Sequence, residues 1–157
     1  MAHIQSIAYT PANIERAPAE RYARVSCERA VLVAGRGIAG DVKARPGKRQ
    51  LNVMLAQGAA RLRNDGYRTA PGELGEQLVI AGLEDGAVGA GTRLRIGATA
   101  IVQLGKLRTP CERFAGIQGF PAAAARERIG FMARVIVGGE FEVGSPVVIE
   151  GRQDDVE

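Results

Sequence analysis

Apolar and polar positions alternate in short runs along most of the chain, and such runs predict strands. Residues 4–9 form the first, stopped by Thr10-Pro11, and the polar residues 13–22 read as a connection. Residues 22–33 return to an extended pattern anchored by Val25, Val31, Leu32 and Val33. Leu51, Val53 and Leu55 then alternate with Asn52 and Met54. A short helix is expected over 57–64, with Ala59, Ala60 and Leu62 for packing and Asp65-Gly66 as its stop. Further strands fall at 77–80, 92–96 and 99–104, the last two joined as a hairpin across Gly97-Ala98. An alanine-rich helical piece covers 121–128. Residues 132–137 and 140–143 read as a second hairpin around Gly138-Gly139, a dipeptide suited to positive φ. Residues 147–149 make the last strand, before an acidic, frayed end from Gln153.

Many short strands and few helices predict a mainly β fold, a closed or nearly closed β-barrel carrying small helices. The 21 glycines agree with that many turns. At 157 residues the chain reads as one domain, 1–157, long enough to bury a core without staples. Two well-separated cysteines make no disulfide framework, which points to a reducing, cytoplasmic setting. The first residues lack the pattern of a signal peptide, and no apolar run approaches membrane-spanning length. One histidine and two cysteines argue against a zinc site. A net charge of +4 fits an anionic ligand, while four phenylalanines and three tyrosines give no evident platform for stacking RNA bases.

The most specific local chemistry lies in Leu107-Arg108-Thr109-Pro110-Cys111-Glu112-Arg113-Phe114. Thr109 followed three residues later by Glu112 spells a capping box, with Pro110 as the first helical residue. Cys111 would then sit in the first turn, where unpaired amides and two neighbouring arginines favour thiolate, the form that attacks and binds metals. Cys27 has no such surroundings and reads as a strand-face or core residue. Upstream, residues 35–49 form a tight glycine-containing loop. Its Arg36, Lys43, Arg45, Lys48 and Arg49 suit either a phosphate or carboxylate site or a solvated surface, and the usual phosphate-loop fingerprints are absent.

Gly37-Ile38-Ala39-Gly40-Asp41, Arg49-Gln50-Leu51 and Pro71-Gly72-Glu73-Leu74-Gly75-Glu76-Gln77-Leu78 stand in this order along the chain. They are followed by Gly91-Thr92-Arg93-Leu94-Arg95-Ile96-Gly97, Arg108-Thr109-Pro110-Cys111, Arg134-Val135, Gly138-Gly139 and Val143-Gly144. The ordered set resembles the MOSC family, named for the C-terminal domain of molybdenum cofactor sulfurase, and covers about residues 4–149. The resemblance implies a β-barrel related to the barrel domain of pyruvate kinase, able to bind molybdenum cofactor (molybdopterin). It implies Cys111, in the family's Arg-x-Pro-Cys signature, as the thiolate on the metal and the catalytic residue. Arg108 and Arg134 become candidate anion contacts for the cofactor, beside Lys43 and Arg49 of the basic loop. Thr109 and Glu76 become supporting or structural residues of the same site.

The chain departs from that pattern in two places. Lys43 stands where small family members often have histidine, and Gln77 stands where a Gly-Glu-Asn-Leu pattern has asparagine. Lysine keeps a donor for anions but offers no neutral imidazole. No pyridoxal-phosphate domain and no cysteine-cluster domain accompanies the barrel, so a partner such as a cysteine desulfurase or a redox protein would supply sulfur or electrons. The readings left open are reduction of N-oxygenated small molecules, sulfur transfer, and a non-catalytic module for an anion or a partner. Oligomers are also expected from exposed barrel edges.

Overall fold

A computed structural model describes residues 1–13 and 20–153. Much of the expected connection at 13–22 and most of the acidic end lie outside the described residues. In chain order the strands are β1 (His3–Tyr9), β2 (Val25–Cys27), β3 (Arg29–Val33), β4 (Gly37–Ile38) and β5 (Leu51–Leu55). Helix α1 (Ala56–Asn64) leads to β6 (Leu78–Ala81), β7 (Thr92–Ile96) and β8 (Ala100–Leu107). Helix α2 (Glu112–Gln118) precedes β9 (Phe131–Val137), β10 (Gly139–Glu142) and β11 (Val147–Arg152).

An eight-stranded sheet runs β11-β7-β8-β9-β5-β6-β1-β2, beside a three-stranded sheet β10-β3-β4. Among the described residues only β5 and β6 pair in parallel, and α1 is the crossover that a parallel pair requires. The large sheet curls until His3 of β1 bridges Pro146 ahead of β11, backed by Val147 N–H donating to the Ala2 carbonyl at 3.0 Å. That single bridge is no continuous ladder. The mainly β expectation holds, and the barrel is an incompletely closed one.

Alternation on the strands divides the molecule into an inside and an outside. Leu51, Val53, Leu78, Ile80, Leu94, Val102, Leu104 and Ala133 point inward and pack as one buried core. Met54 and Val79 face outward, where they meet Leu62 of α1, Phe114 of α2, Tyr67, Leu74 and Ile129 in a second core. Burying a side chain such as Phe114 contributes roughly 1.5–3 kcal/mol, enough to pin a helix of two turns. Asn52 and Gln77 occupy the same outer face but lie away from that apolar patch, and they floor the site described below.

Several expectations need correction. Val25, Val31 and Val33 are about two-fifths exposed, so Leu32, with half-buried Ala30, anchors β3 in the core. Only Ala122–Ala125 of the alanine-rich piece is helical, and it is a 3-10 turn. The hairpin around Gly138-Gly139 does not form. β9 pairs with β8 and β5, whereas β10 pairs with β3 in the other sheet. Neither glycine has positive φ. A Cβ on Gly138 would sit 2.7 Å from the Leu32 carbonyl oxygen, and one on Gly139 would sit 3.0 Å from the Ala100 nitrogen. Close passage between sheets, not turn geometry, is what requires glycine there.

Gly130 is tighter still: its φ is +87°, and a Cβ would meet the Val53 carbonyl oxygen at 2.2 Å. Its own carbonyl accepts the Arg108 backbone N–H at 2.8 Å, so the glycine sets the path of the chain entering the site. We expect Gly130→Ala to lower unfolding stability by about 2–4 kcal/mol in urea denaturation. A loss below about 0.5 kcal/mol, within the range of ordinary surface substitutions, would contradict this packing.

Candidate functional site

Four segments converge on the outer face of the sheet. The loop after β4 brings Asp41, Lys43, Arg45 and Arg49, and β5 brings Asn52. The turn before β6 brings Gly75, Glu76 and Gln77, and the link between β8 and α2 brings Arg108 to Cys111. Residues ahead of β2 add Tyr22 and Arg24. Between them lies an open cleft of about 750 Å³.

A buried polar junction forms its base. Asp41, 5% exposed, accepts hydrogen bonds from the Thr10 and Lys43 backbone N–H groups at 3.2 and 3.0 Å. The Gln77 side-chain amide donates to its other oxygen at 3.1 Å. Gln77 in turn accepts the Asn52 backbone N–H at 2.8 Å, tying the turn to β5. Glu76, 1% exposed, accepts from the Gly72 and Leu74 N–H groups at 2.7 and 3.1 Å. Burial pushes the Glu76 carboxyl above its ordinary value, against the lowering effect of these amides and of Arg108.

Two arginines hold the same turn from outside. Arg24 donates to the Gly75 carbonyl at 2.9 Å and to the Thr10 hydroxyl at 3.1 Å. Arg108 donates to the Leu74 and Ile129 carbonyls at 3.0 and 3.1 Å. Burial lowers both guanidinium values. The charges of Asp41 and Glu76 oppose this at Arg24, and those of Tyr22 and Glu76 oppose it at Arg108. Tyr22 stands among Arg24 and Arg113, whose guanidinium carbons lie 5.8 and 5.3 Å from its ring centre. Burial is also the largest influence on its phenol, which is raised above 10.0. Gly75 leaves room for this cluster: a Cβ there would lie 2.8 Å from Arg108 Nη2 and 3.0 Å from the Tyr22 ring.

Cys111 is exposed and lines the cleft. The capping box is not formed: Cys111 is itself the N-cap, in extended conformation, and the helix begins at Glu112 with no side-chain cap. Proline steers its predecessor away from helical backbone. Thr109 and Pro110 therefore lie outside the helix, after Arg108 has been tied to Gly130, and the first turn starts later than the sequence pattern implied. The cysteine is positioned instead by Arg108 on one side and by buried Phe114 and Gln118 on the other. Gln118 donates to the Arg68 and Glu73 carbonyls at 3.0 and 2.9 Å and accepts the Arg68 N–H at 2.9 Å. Cys27 is half-buried against the inner core, and burial raises its thiol above 9.0.

Of the residues expected from sequence, Cys111, Arg108, Thr109, Lys43 and Arg49 line the cleft together. Glu76 lies beneath it and shapes the turn. Arg134 is not brought in; it lines a separate shallow recess one strand over. Arg24, Tyr22 and Asn52 were missed, because nothing in their local sequence marks them. Asp41 and Gln77 lay inside the quoted motifs, and only the fold reveals that one donates to the other. Arg24, Lys43, Arg45, Arg49, Arg108 and Arg113 make six cations along the cleft, and among the described residues no carboxylate lines it. Two buried polar atoms of that lining, Arg24 Nε and Asn52 Oδ1, have no hydrogen-bond partner among the described residues. Such an arrangement can hold an anion beside an accessible sulfur.

The MOSC domain family profile matches residues 23–148, more than half of the chain and every cleft-lining residue but Thr10 and Tyr22 among those described. The chain belongs to the MOSC domain family. The YuaD protein of Bacillus subtilis superposes with a TM-score of 0.76 at 16% identity, covering 98% of each chain. YiiM of Geobacillus stearothermophilus gives 0.75 at 20% identity, over 99% of this chain and 78% of its own. YiiM of Escherichia coli gives 0.72 at 20% identity, over 99% and 73%. At these identities the likeness establishes the MOSC fold. No functionally curated protein matches the chain in sequence. Among the described residues no helix is long and apolar enough to cross a membrane.

The raised Glu76 carboxyl gives a pH dependence of known sign. A carboxyl that holds its proton more tightly folded than unfolded makes stability fall as pH rises from the ordinary value of 4.5 through its raised folded value. In Glu76→Gln that slope should vanish from thermal melts taken across the window. The variant should also lose about 1–3 kcal/mol, because one of two buried backbone donors loses its acceptor. A parallel pair of pH profiles would contradict the assignment.

Proposed function

We propose that the cleft binds molybdenum cofactor, with the Cys111 thiolate as the protein ligand to the metal and the cationic lining as the seat of the pterin phosphate. The observation that carries this reading is an exposed cysteine at the side of a cleft lined, among the described residues, by six cations and no carboxylate. The residues present fit such a group. A volume of about 750 Å³ lies in the range of small-molecule sites. Unpaired Arg24 Nε and Asn52 Oδ1 offer a donor and an acceptor to a polar ligand. Among the described residues no cluster of three or more histidines, cysteines or carboxylates could chelate a bare ion. The cleft offers one soft sulfur, which suits a metal that arrives already held by its own ligand.

Within this reading each residue has a stated task. Arg45, Arg49 and Arg113 draw the anion in, and Lys43 donates where an imidazole would otherwise stand. Arg24 and Arg108, fixed by backbone carbonyls, hold position without reorganising when charge arrives. Asp41 and Glu76 keep the turn in place while facing away from the ligand. When bound, the cofactor supplies a metal redox centre able to reduce N-oxygenated small molecules. Electrons would come from a separate redox protein.

The test compares wild type, Cys111→Ala and Cys27→Ala, each expressed with cofactor available and assayed for molybdenum by elemental analysis. Cys111→Ala should retain at least about ten-fold less metal than wild type, and Cys27→Ala should match wild type. A barrel that binds an anion without metal chemistry predicts the same low molybdenum in all three. Equal, substantial molybdenum in wild type and Cys111→Ala would overturn the ligand role while leaving the cleft as an anion site.

A further inference from the structure

The recess that takes Arg134 away from the cleft has chemistry of its own. It is lined by Lys48, Lys106 and Arg134 with Gln103, Gly105 and Met132, and its volume of about 20 Å³ admits one water-sized or oxygen-sized group. A bulge in β8 shapes it. Leu104 pairs with Ala133 and Leu107 with Phe131, so three steps along β8 oppose two along β9. The extra residue falls at Gly105-Lys106 and re-aims the lysine, as bulges do.

The recess and the cleft share one face of the sheet. Asn52, on the cleft floor, pairs with Met132 of the recess, and Arg134, two residues along β9, pairs with Gln103. Neighbouring strands lie about 4.8 Å apart, so recess and cleft floor are separated by roughly 5–10 Å. Arg49 joins them: it lines the cleft, and its Nε contacts Met132 Sδ at 3.2 Å. The Gln103 amide oxygen accepts from Arg93 Nε at 2.8 Å, which leaves its NH2 group and the three cations as donors toward the recess. No side-chain hydrogen bond or ion pair engages Lys106 or Arg134 among the described residues.

We infer that Lys106 and Arg134, with Lys48, form a second anion-binding notch beside the cleft, and that the ligand carries two linked anionic groups of the diphosphate type. The inference rests on the cleft being an anion site. One phosphate lies in the cleft, and an oxygen of the next enters the notch while the rest of that group stays in solvent. A single phosphate cannot span both places.

Calorimetric titration with inorganic orthophosphate and inorganic diphosphate tests this directly. Wild type should bind diphosphate more tightly than orthophosphate. Lys106→Gln combined with Arg134→Gln should weaken diphosphate binding about ten-fold and orthophosphate binding only slightly, the excess loss falling on diphosphate. Arg63→Gln with Arg126→Gln removes the same charge at exposed positions lining neither the cleft nor the recess, and should weaken both anions slightly and alike. Lys106→Gln alone, at an exposed position, should show part of the selective loss even if the Arg134 change disturbs folding. An equal effect on both anions, or none, would overturn the notch. So would equal affinity of wild type for the two anions. Failure of wild type to bind either anion would remove the cleft reading together with the notch.

Discussion

The turn from Gly72 to Gln77 is held from both sides by buried charge, and the functional face depends on that grip. Its amides donate inward to Glu76, while its carbonyls accept outward from Arg24 and Arg108. Neither arginine relies on a carboxylate as its principal partner. A guanidinium that donates to fixed backbone carbonyls keeps its full charge available to a ligand, whereas one clasped by a carboxylate is largely neutralised. Asp41 and Glu76 lie close enough to offset the cost of burying the two cations, yet their hydrogen bonds come from backbone N–H groups and the Gln77 amide. The result is a positively charged surface supported by buried negative charge that never reaches it.

That separation explains why net charge says so little here. A value of +4 over 157 residues is unremarkable, and acidic residues are spread over the surface. Six cations nevertheless share one cleft, three more line the adjoining recess, and among the described residues neither lining holds a carboxylate. Field strength at a site follows local arrangement rather than the sum over the chain. The low-dielectric wall beneath, made of Leu51 and the second core, strengthens each remaining interaction.

Much of the fold was legible, since strand alternation is a local property. β1, β5, β7, β8 and α1 fall within a few residues of their expected places, and the mainly β class follows from their number. The pairing of β10 was not legible. Gly138-Gly139 has the composition of a hairpin turn, and only the nearness of Leu32 and Ala100 shows that it is a crossing between sheets. At the site, the Arg-x-Pro-Cys stretch identified Cys111 correctly as an accessible sulfur by a partly mistaken route. The cap pattern is present in the letters, but the tie from Arg108 to Gly130 keeps the chain extended and delays the helix. Arg24 and Asn52 carry no local signal, because their roles arise from what β5 and the β6 turn bring beside them. Arg134 shows the converse: a motif position fixes its neighbourhood on β9 but not which of two adjacent cavities its side chain enters.

The geometry also bears on why a cysteine stands where it does. α2 has only seven residues, and its electrostatic pull on an anion at its start is correspondingly limited. What brings Cys111 to the cleft is mechanical: Arg108 anchors the chain before it, and Phe114 with Gln118 anchors the helix after it. Between those anchors Pro110 is buried and rigid, so the sulfur is presented from a short, stiff span with little freedom to retreat. A ligand atom fixed in this way forfeits little entropy when it engages a partner. The same stiffness makes the sulfur's position a property of the whole face. Loosening the turn at Gly75, the crossing at Gly130 or the Gln118 contacts would displace it without touching the residue itself.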